Sequence, residues 1–369
     1  MSNLGSISEQ SLAGAISTGT HGTGAKFGII SSQVLEMRII LADGSVRTLC
    51  RDNESKDMFL ASLCSLGALG IISTITLQAE PAYNLAYEEF LITFTQLETN
   101  WDALINSAQL VRFWWFPYTE TVLVWRAART KRVATASTKS WWSEKFIGYH
   151  LLEYLLYLSS FMPSLLPKLN AYYAHKDHSM PTKDFKVEPF NDADPKCTVG
   201  RHVDILNFDC LFKQHVTEWC APSRSALTAL QSLKSKIDQD SQEPNGGGGR
   251  KIHAHFPVEI RFVKGDDIWL SPAYGDGVFC YIGIIVYRPY GQEAVPRQAY
   301  WTAYEDSMKS VDARPHWAKA FPLRYRELAK LYPMFERFCQ MRRQLDPNGL
   351  FMNEYTRRHL TPPDSKAKL

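Results

Sequence analysis

The sequence predicts an α+β fold in two parts, a smaller β-rich domain followed by a larger mixed domain with an antiparallel sheet. Three observations carry this. Two β-rich runs flank Asp43-Gly44, a strong hairpin signal. Strands such as LVWRAART and FCYIGIIVYR mix with long amphipathic helices without the regular βαβ alternation of a doubly wound sheet. Pro81 follows the last of the early strands and marks a boundary between residues 1–80 and 81–340, with 341–369 as a closing segment.

The chain opens with SLAGAISTGTHGTGAKF, Ser11 to Phe27, with glycines at 14, 19, 22 and 24 among small hydroxyl residues. Glycine lets another molecule approach the main chain, so the stretch suits a ligand lying on backbone N–H groups, or a run of tight turns. A P-loop is excluded, because Gly24 is followed by Ala25, Lys26 and Phe27. A dinucleotide fingerprint is excluded too, because Gly22, Gly24 and Gly28 have the wrong spacing and the hairpin replaces the required helix. A phosphorylated cofactor here needs another architecture. After the hairpin comes LGALGIISTITLQAE, whose glycines precede a strand. Farther on, Pro222 can open a helix in which Leu227, Leu230, Leu233 and Ile237 fall on one face.

Composition narrows the function. The chain is 45% hydrophobic and 21% charged with a formal net charge of +3, which gives no basic stripe for nucleic acid. Its seven cysteines form no C-x-x-C pair, which suits a reducing compartment and a role as small core residues. The start MSNLGSISEQ lacks the features of a signal peptide, and GGGG at 246–249 reads as a short loop. Residues 145–170 are rich in Leu, Tyr and Phe, but Glu153, Pro163 and Pro167 interrupt them. They fall short of a spanning helix and leave two readings, a buried helical hairpin or an interfacial helix at a membrane surface.

The stretch KIHAHFPVEIRFV, 251–263, is the richest in chemistry. Read as one strand, its apolar face is Ile252, Ala254, Phe256, Val258, Ile260 and Phe262, and its other face carries His253, His255, Glu259 and Arg261. That second face is a candidate cavity wall or a solvated surface. One chemistry is a cupin-like metal site at His253, His255 and Glu259, with Gly247 upstream and Gly283, Pro289 and Gly291 downstream, although Ala294 stands where the last histidine belongs. The other uses Glu259 to accept a hydrogen bond from a substrate hydroxyl and Arg261 to stabilise developing negative charge, with no metal.

AGAISTGTHGTG, PVEIRF, ARPHWAKAF at 313–321 and LDPNGLFMNEY at 345–355 occur in the order found in the sugar-lactone oxidases. Together these motifs span essentially the whole chain, which resembles the D-arabinono-1,4-lactone and L-gulonolactone oxidase family, flavoproteins of the vanillyl-alcohol oxidase type. The resemblance implies an FAD-binding domain and an α+β substrate domain whose sheet lies over the flavin. It implies cofactor contacts at Ser11, Gly14, Thr18, Gly19, Thr20, His21 and Gly22, with Gly70 and Ile72 nearer the adenosine end and Asn353 returning the chain to the flavin domain. His21 has a second reading as a turn residue that only caps backbone. Glu259 would bind the lactone hydroxyls, Arg261 would face the flavin pyrimidine edge, and Lys319 would orient substrate or flavin; His316 and Trp317 are expected in packing.

The implied reaction oxidises the hydroxyl-bearing C2 of an aldono-1,4-lactone, with O2 as final acceptor, to an ascorbate-type product and hydrogen peroxide. In this family a first FAD lobe with a Gly-Gly-His-Ser type segment precedes the glycine loop, and here Met1 stands ten residues before Ser11. The expectation is therefore a truncated FAD domain without covalent flavin attachment. A catalytically silent homologue or interaction protein that does not retain FAD is the alternative. The resemblance and the 145–170 segment suggest a mitochondrial membrane surface, and the final Ala367-Lys368-Leu369 suggests a peroxisomal address, with cytoplasm as a further alternative.

Overall fold

The computed structural model describes residues 1–7, 9–134, 150–175, 184–207, 212–242, 252–293 and 296–363. The first sheet forms as the hairpin predicts. Strands β1 (Val34–Ile40) and β2 (Val46–Cys50) pair antiparallel with Ile40 opposite Val46, and Gly44 takes the turn at a φ of 81°. β3 (Ile71–Leu77) pairs with the other side of β1. Met37, Ile39 and Leu49 face inward onto Phe59 and Leu60 of helix α2 (Lys56–Ser62). The glycine stretch is not loop throughout, since Leu12–Ser17 forms helix α1, with Ser11 as its N-cap accepting from the Gly14 N–H.

The second sheet has eight strands. In chain order they are β4 (Asn84–Thr93), β5 (Leu110–Trp115), β6 (Thr121–Thr130), β7 (Thr198–Arg201), β8 (Gln214–Pro222), β9 (Val258–Lys264), β10 (Val278–Tyr287) and β11 (Arg314–Pro315). They lie in the order β11-β8-β10-β9-β5-β6-β4-β7, every pair antiparallel. One face is core. Val258, Ile260 and Phe262 of β9 pack with Phe113 and Trp101, and the Phe262 ring meets those two edge-on at 5.3 and 5.4 Å. The short helices α3 (Phe94–Thr99), α4 (Trp101–Ile105), α5 (Leu152–Phe161), α6 (Leu166–His175) and α7 (His202–Leu206) precede the long helix α8 (Ser223–Gln242). It lies under the same face and buries Ala226, Ala229, Leu230, Leu233 and Ile237 at helical spacing. Each of the three larger side chains contributes about 1.5–3 kcal/mol by leaving water.

One expectation changes. Residues 251–263 do not form one strand, because β9 begins only at Val258. Pro257 has no N–H to give a ladder, so pairing starts after it, and His253 and His255 lie outside the sheet. In the 145–170 segment the described residues carry two short helices, α5 and α6, separated at Pro163. Leu152, Leu156 and Leu166 are buried, whereas Leu151, Tyr154, Phe161, Met162 and Tyr172 are exposed. Among the described residues no helix is long and apolar enough to cross a membrane. Residues 145–149, the GGGG loop with Gly247, Lys251, Ala294 and the final Ala-Lys-Leu lie outside the described residues.

The chain closes with α9 (Gln298–Lys309), α10 (Tyr325–Leu331), α11 (Phe335–Leu345) and α12 (Glu354–Leu360). The glycine loop docks on the second sheet, with Gly24 bridging Val263 and the Gly24 N–H donating to the Phe262 carbonyl at 2.7 Å. This contact brings loop and sheet face together.

Candidate active site

On a sheet, residues directly opposite one another share a face. Glu259 on β9 stands opposite Gly283 on β10, and Gly283 stands opposite Glu218 on β8. Arg261, Tyr281 and Cys220 make the next row, and β5 extends the two rows with Trp114 and Arg112. These residues occupy the face turned away from α8. Over them lie residues 5–7 and the glycine loop, and between the two layers is a cavity of about 110 Å³. Ser6, Thr20 and His21 line it from one side and Glu218, Glu259 and Arg261 from the other, with His316 and Lys319 closing one end.

Arg261 organises the polar contacts. One terminal nitrogen donates to Glu218 Oε1 at 2.9 Å and lies 3.4 Å from Glu259 Oε2, while the other donates to Ser6 Oγ at 3.2 Å. Burial works against the Arg261 charge, but Glu259 and Glu218 outweigh it and hold the guanidinium more firmly protonated than usual. Burial likewise pushes the Glu218 carboxyl up, yet Arg261 and His21 overcome it and keep the group well below the usual carboxylate range. Glu259 Oε1 accepts no hydrogen bond, and Arg112 approaches it only to 4.0 Å. The Arg112 guanidinium lies over Trp114 and Trp125 at 4.3 and 4.7 Å, and burial lowers it to about 10. His21 stacks on Tyr281 with centroids 3.5 Å apart and its Nε2 is 3.4 Å from Glu218. Burial is the main force lowering its pKa, and for His316 burial takes it down to about 3.

The model of the D-arabinono-1,4-lactone oxidase family matches residues 75–359 and that of an FAD-binding domain matches residues 1–49. The L-gulonolactone oxidase of Scyliorhinus torazame is 40% identical over 355 residues, covering 96% of this chain and 74% of that protein. The D-arabinono-1,4-lactone oxidase of Kluyveromyces lactis is 31% identical, covering 95% and 75%. The chain belongs to the D-arabinono-1,4-lactone oxidase family. It is accordingly an FAD-dependent oxidoreductase of the aldonolactone oxidase type. A solved cholesterol oxidase from Brevibacterium sterolicum superposes with a TM-score of 0.72 over 97% of this chain and 76% of that one. At 13% identity that likeness speaks for the fold, which is of the vanillyl-alcohol oxidase type.

The cavity's donor set fits FAD as the family implies. The buried Arg261 Nε has no hydrogen-bond partner within the protein, and Glu259 Oε1 is an unused acceptor. A pyrimidine edge bearing carbonyl oxygens suits the first, and a hydroxyl donor suits the second. Arg261, Thr20 and His21 line the cavity where such an edge would sit, and Lys319 is at the same cavity.

Of the residues expected in this lactone oxidase site, Glu259, Arg261, Lys319, Thr20 and His21 meet at the cavity. Ser11, Gly14 and Thr18 shape α1 instead: Ser11 Oγ accepts from Gly14, and Thr18 Oγ1 donates to the Gly14 carbonyl at 3.0 Å. Gly19 ends that helix at a φ of 73°. Gly22 is pressed against Asn3 and the Leu4 carbonyl, where no Cβ fits. Gly70 packs on Ile39 and Ile40, and Ile72 pairs opposite Ile39, so neither lines the cavity. Asn353 is exposed and serves as the N-cap of α12, accepting from the Thr356 N–H.

The cupin-like alternative is corrected. His253 and His255 are not beside Glu259 on a common face, and His255 Nδ1 accepts the Tyr287 N–H at 2.9 Å. The histidine and carboxylate atoms that do gather among the described residues are those of His21, Glu218 and His316. His316 was expected in packing and lies instead in the cavity wall, whereas Trp317 does pack, its Nε1–H donating to Leu270 at 2.6 Å. Glu218 was missed altogether. The available signal was a carboxylate in QHVTEWCAP, a segment otherwise fit for a buried strand.

Proposed function

We propose that the chain oxidises the C2 hydroxyl carbon of an aldono-1,4-lactone of the D-arabinono-1,4-lactone type, with O2 as acceptor, giving an ascorbate-type product and hydrogen peroxide. The observation that carries this reading is Glu259 Oε1, a buried carboxylate oxygen with no hydrogen-bond partner, two residues from a cavity-lining guanidinium. Such an oxygen recognises a hydroxyl donor, and an unfilled buried acceptor rejects analogues lacking it. FAD supplies the two-electron chemistry when bound. The protein's part is positional: Glu259 orients the lactone hydroxyls, Arg261 presents a fixed positive charge, Lys319 adds a second cation at the cavity end, and the loop over the sheet limits water.

The exposed Leu151, Tyr154, Phe161, Met162 and Tyr172 along the α5 and α6 region support peripheral attachment to a membrane surface, with a mitochondrial membrane as the proposed one. Absorption spectroscopy of the purified chain with added FAD, followed by D-arabinono-1,4-lactone and peroxide detection, tests the activity. Bleaching of the flavin band by lactone, with peroxide formed in air, is expected. A chain that takes up no FAD speaks for the silent homologue.

A further inference from the structure

We propose that Glu218, with His21 behind it, accepts the proton that leaves the substrate hydroxyl, an inference that rests on the lactone-oxidase reading above. The starting observation is that two imidazoles flank Glu218 in opposite tautomers, each fixed by the backbone. His21 Nδ1 lies 2.9 Å from the Gly22 carbonyl, which can only accept, so that nitrogen carries the hydrogen. Its Nε2 therefore presents a lone pair to Glu218 Oε1 at 3.4 Å. His316 is the reverse: its Nδ1 accepts the Ala318 N–H at 3.1 Å, so its hydrogen is on Nε2. The reactive atoms of His21, Glu218 and His316 all lie within 4.8 Å of one another and all three residues are buried.

Glu218 thus stands between an imidazole that can take a proton and one that can give a hydrogen bond. At rest the contact between His21 and Glu218 sets two acceptors face to face. One added proton turns it into a charge-assisted hydrogen bond, with the imidazolium bonded at both nitrogens. The charged and titratable neighbours are Arg261 on β9, Tyr281 on β10, and His316 and Lys319 at the cavity end. Arg261 keeps Glu218 ionised and weakens the carboxylate's hold on a proton, so a proton it takes passes on to His21, which burial keeps neutral beforehand.

Glu259 differs in what stands behind it. It lies between two guanidiniums, Arg261 at 3.4 Å and Arg112 at 4.0 Å, and the histidine atoms that gather among the described residues are at Glu218 instead. It holds a hydroxyl rather than deprotonating one. A metal ion is also disfavoured at the three residues, since an Arg261 nitrogen 2.9 Å from Glu218 Oε1 already places a positive charge there. In the step itself the substrate O–H bond breaks and its proton passes to the Glu218 carboxylate and on to His21 Nε2. The C–H bond breaks with both electrons leaving as hydride to FAD, and the carbon becomes a carbonyl.

The FAD-loaded chain is mixed with D-arabinono-1,4-lactone in the absence of oxygen and flavin reduction is followed across pH. Wild type should speed up as pH rises through the titration of the pair. Glu218→Gln should reduce at least about a hundredfold more slowly at saturating lactone, with half-saturation changed only a few-fold and the acid limb lost. A rate within threefold of wild type and an unchanged acid limb overturn the proposal. If Glu218→Gln takes up no FAD, His21→Gln carries the same test, since it leaves the Glu218–Arg261 pair in place. It should slow reduction about tenfold or more, and a wild-type rate overturns the proposal. A second readout needs no turnover: in histidine-labelled protein, NMR should find His21 as the Nδ1–H tautomer and its pKa lowered further by Glu218→Gln. A His21 titration that does not move overturns the pair's role. A wild-type chain that binds FAD but is reduced by no aldonolactone defeats the lactone-oxidase reading instead, and the NMR result still decides the pair.

Discussion

Arg261 on β9 reaches across β10 to donate to Glu218 on β8 at 2.9 Å. The lane it crosses is open because the β10 residue between Glu218 and Glu259 is Gly283, which has no side chain to fill it. One guanidinium therefore serves two carboxylates that a bulkier residue would separate. This geometry, rather than the i, i+2 spacing of Glu259 and Arg261 alone, sets the charge balance of the cavity.

Removing Arg261 leaves the buried Glu218 without its guanidinium and the largely buried Glu259 with only the more distant Arg112. Arg261→Ala is expected to cost about 3–5 kcal/mol of stability as well as slowing flavin reduction, because a buried charge left without its partner is strongly unfavourable. Urea denaturation checks it. A midpoint equal to wild type would mean that the two acids do not depend on the guanidinium.

At Gly283 a Cβ would lie 3.6 Å from Glu218 Cγ, an ordinary contact. Gly283→Ala should therefore be tolerated, while the branched side chain of Gly283→Val crowds Glu218 and the cavity floor. The valine variant is expected to raise KM for the lactone about tenfold or more with FAD content preserved, reflecting a loss of about 1.4 kcal/mol in binding. Equal KM values for wild type, alanine and valine would remove Gly283 from the substrate pocket.

Gly22 has backbone on both sides. A methyl group there meets the Leu4 carbonyl as well as the Asn3 side chain, so residues 3–7 must move. We expect Gly22→Ala to lose about 1–3 kcal/mol and to lower FAD content, since the displaced segment carries Ser6 to Arg261. Thermal denaturation and the flavin absorbance of the purified variant report the two effects separately.

Acid should destabilise the fold through its neutral histidines. Burial lowers His255 to about 4 and His316 to about 3, against 6.5 when unfolded. Between those values the unfolded chain binds the extra proton. Stability is thus complete above about pH 6.5 and is lost as pH falls, by up to about 1.4 kcal/mol per pH unit for each group. Chemical denaturation at pH 7 and pH 5 measures the slope, and His255→Gln should flatten it. A slope unaffected by that substitution would contradict the assignment.

Much of the site was legible locally. Asp43-Gly44 signals its hairpin, Pro222 ends β8 directly before the helix α8 expected there, and Glu259 and Arg261 fall on the non-core side of β9. Alternating polarity over 251–263 predicts a longer strand than forms, because the pattern ignores what Pro257 cannot donate, and this produces the apparent histidine row. The six-residue helix inside the glycine stretch was hidden because its cap and first turn, Ser11 to Gly14, have the composition of a turn.

By itself the sequence determined which residues carry charge, which segments alternate, and which family motifs the chain holds, because these depend on residue type and short-range periodicity. Only the tertiary structure decided that Glu218 stands across β10 from Arg261 and that His21 and His316 meet there, about three hundred residues apart in the chain. Strand order and register place these groups together, and both are set by which apolar faces can be buried at once. That choice is made by the whole core and leaves no trace in the spacing of the residues it brings into contact.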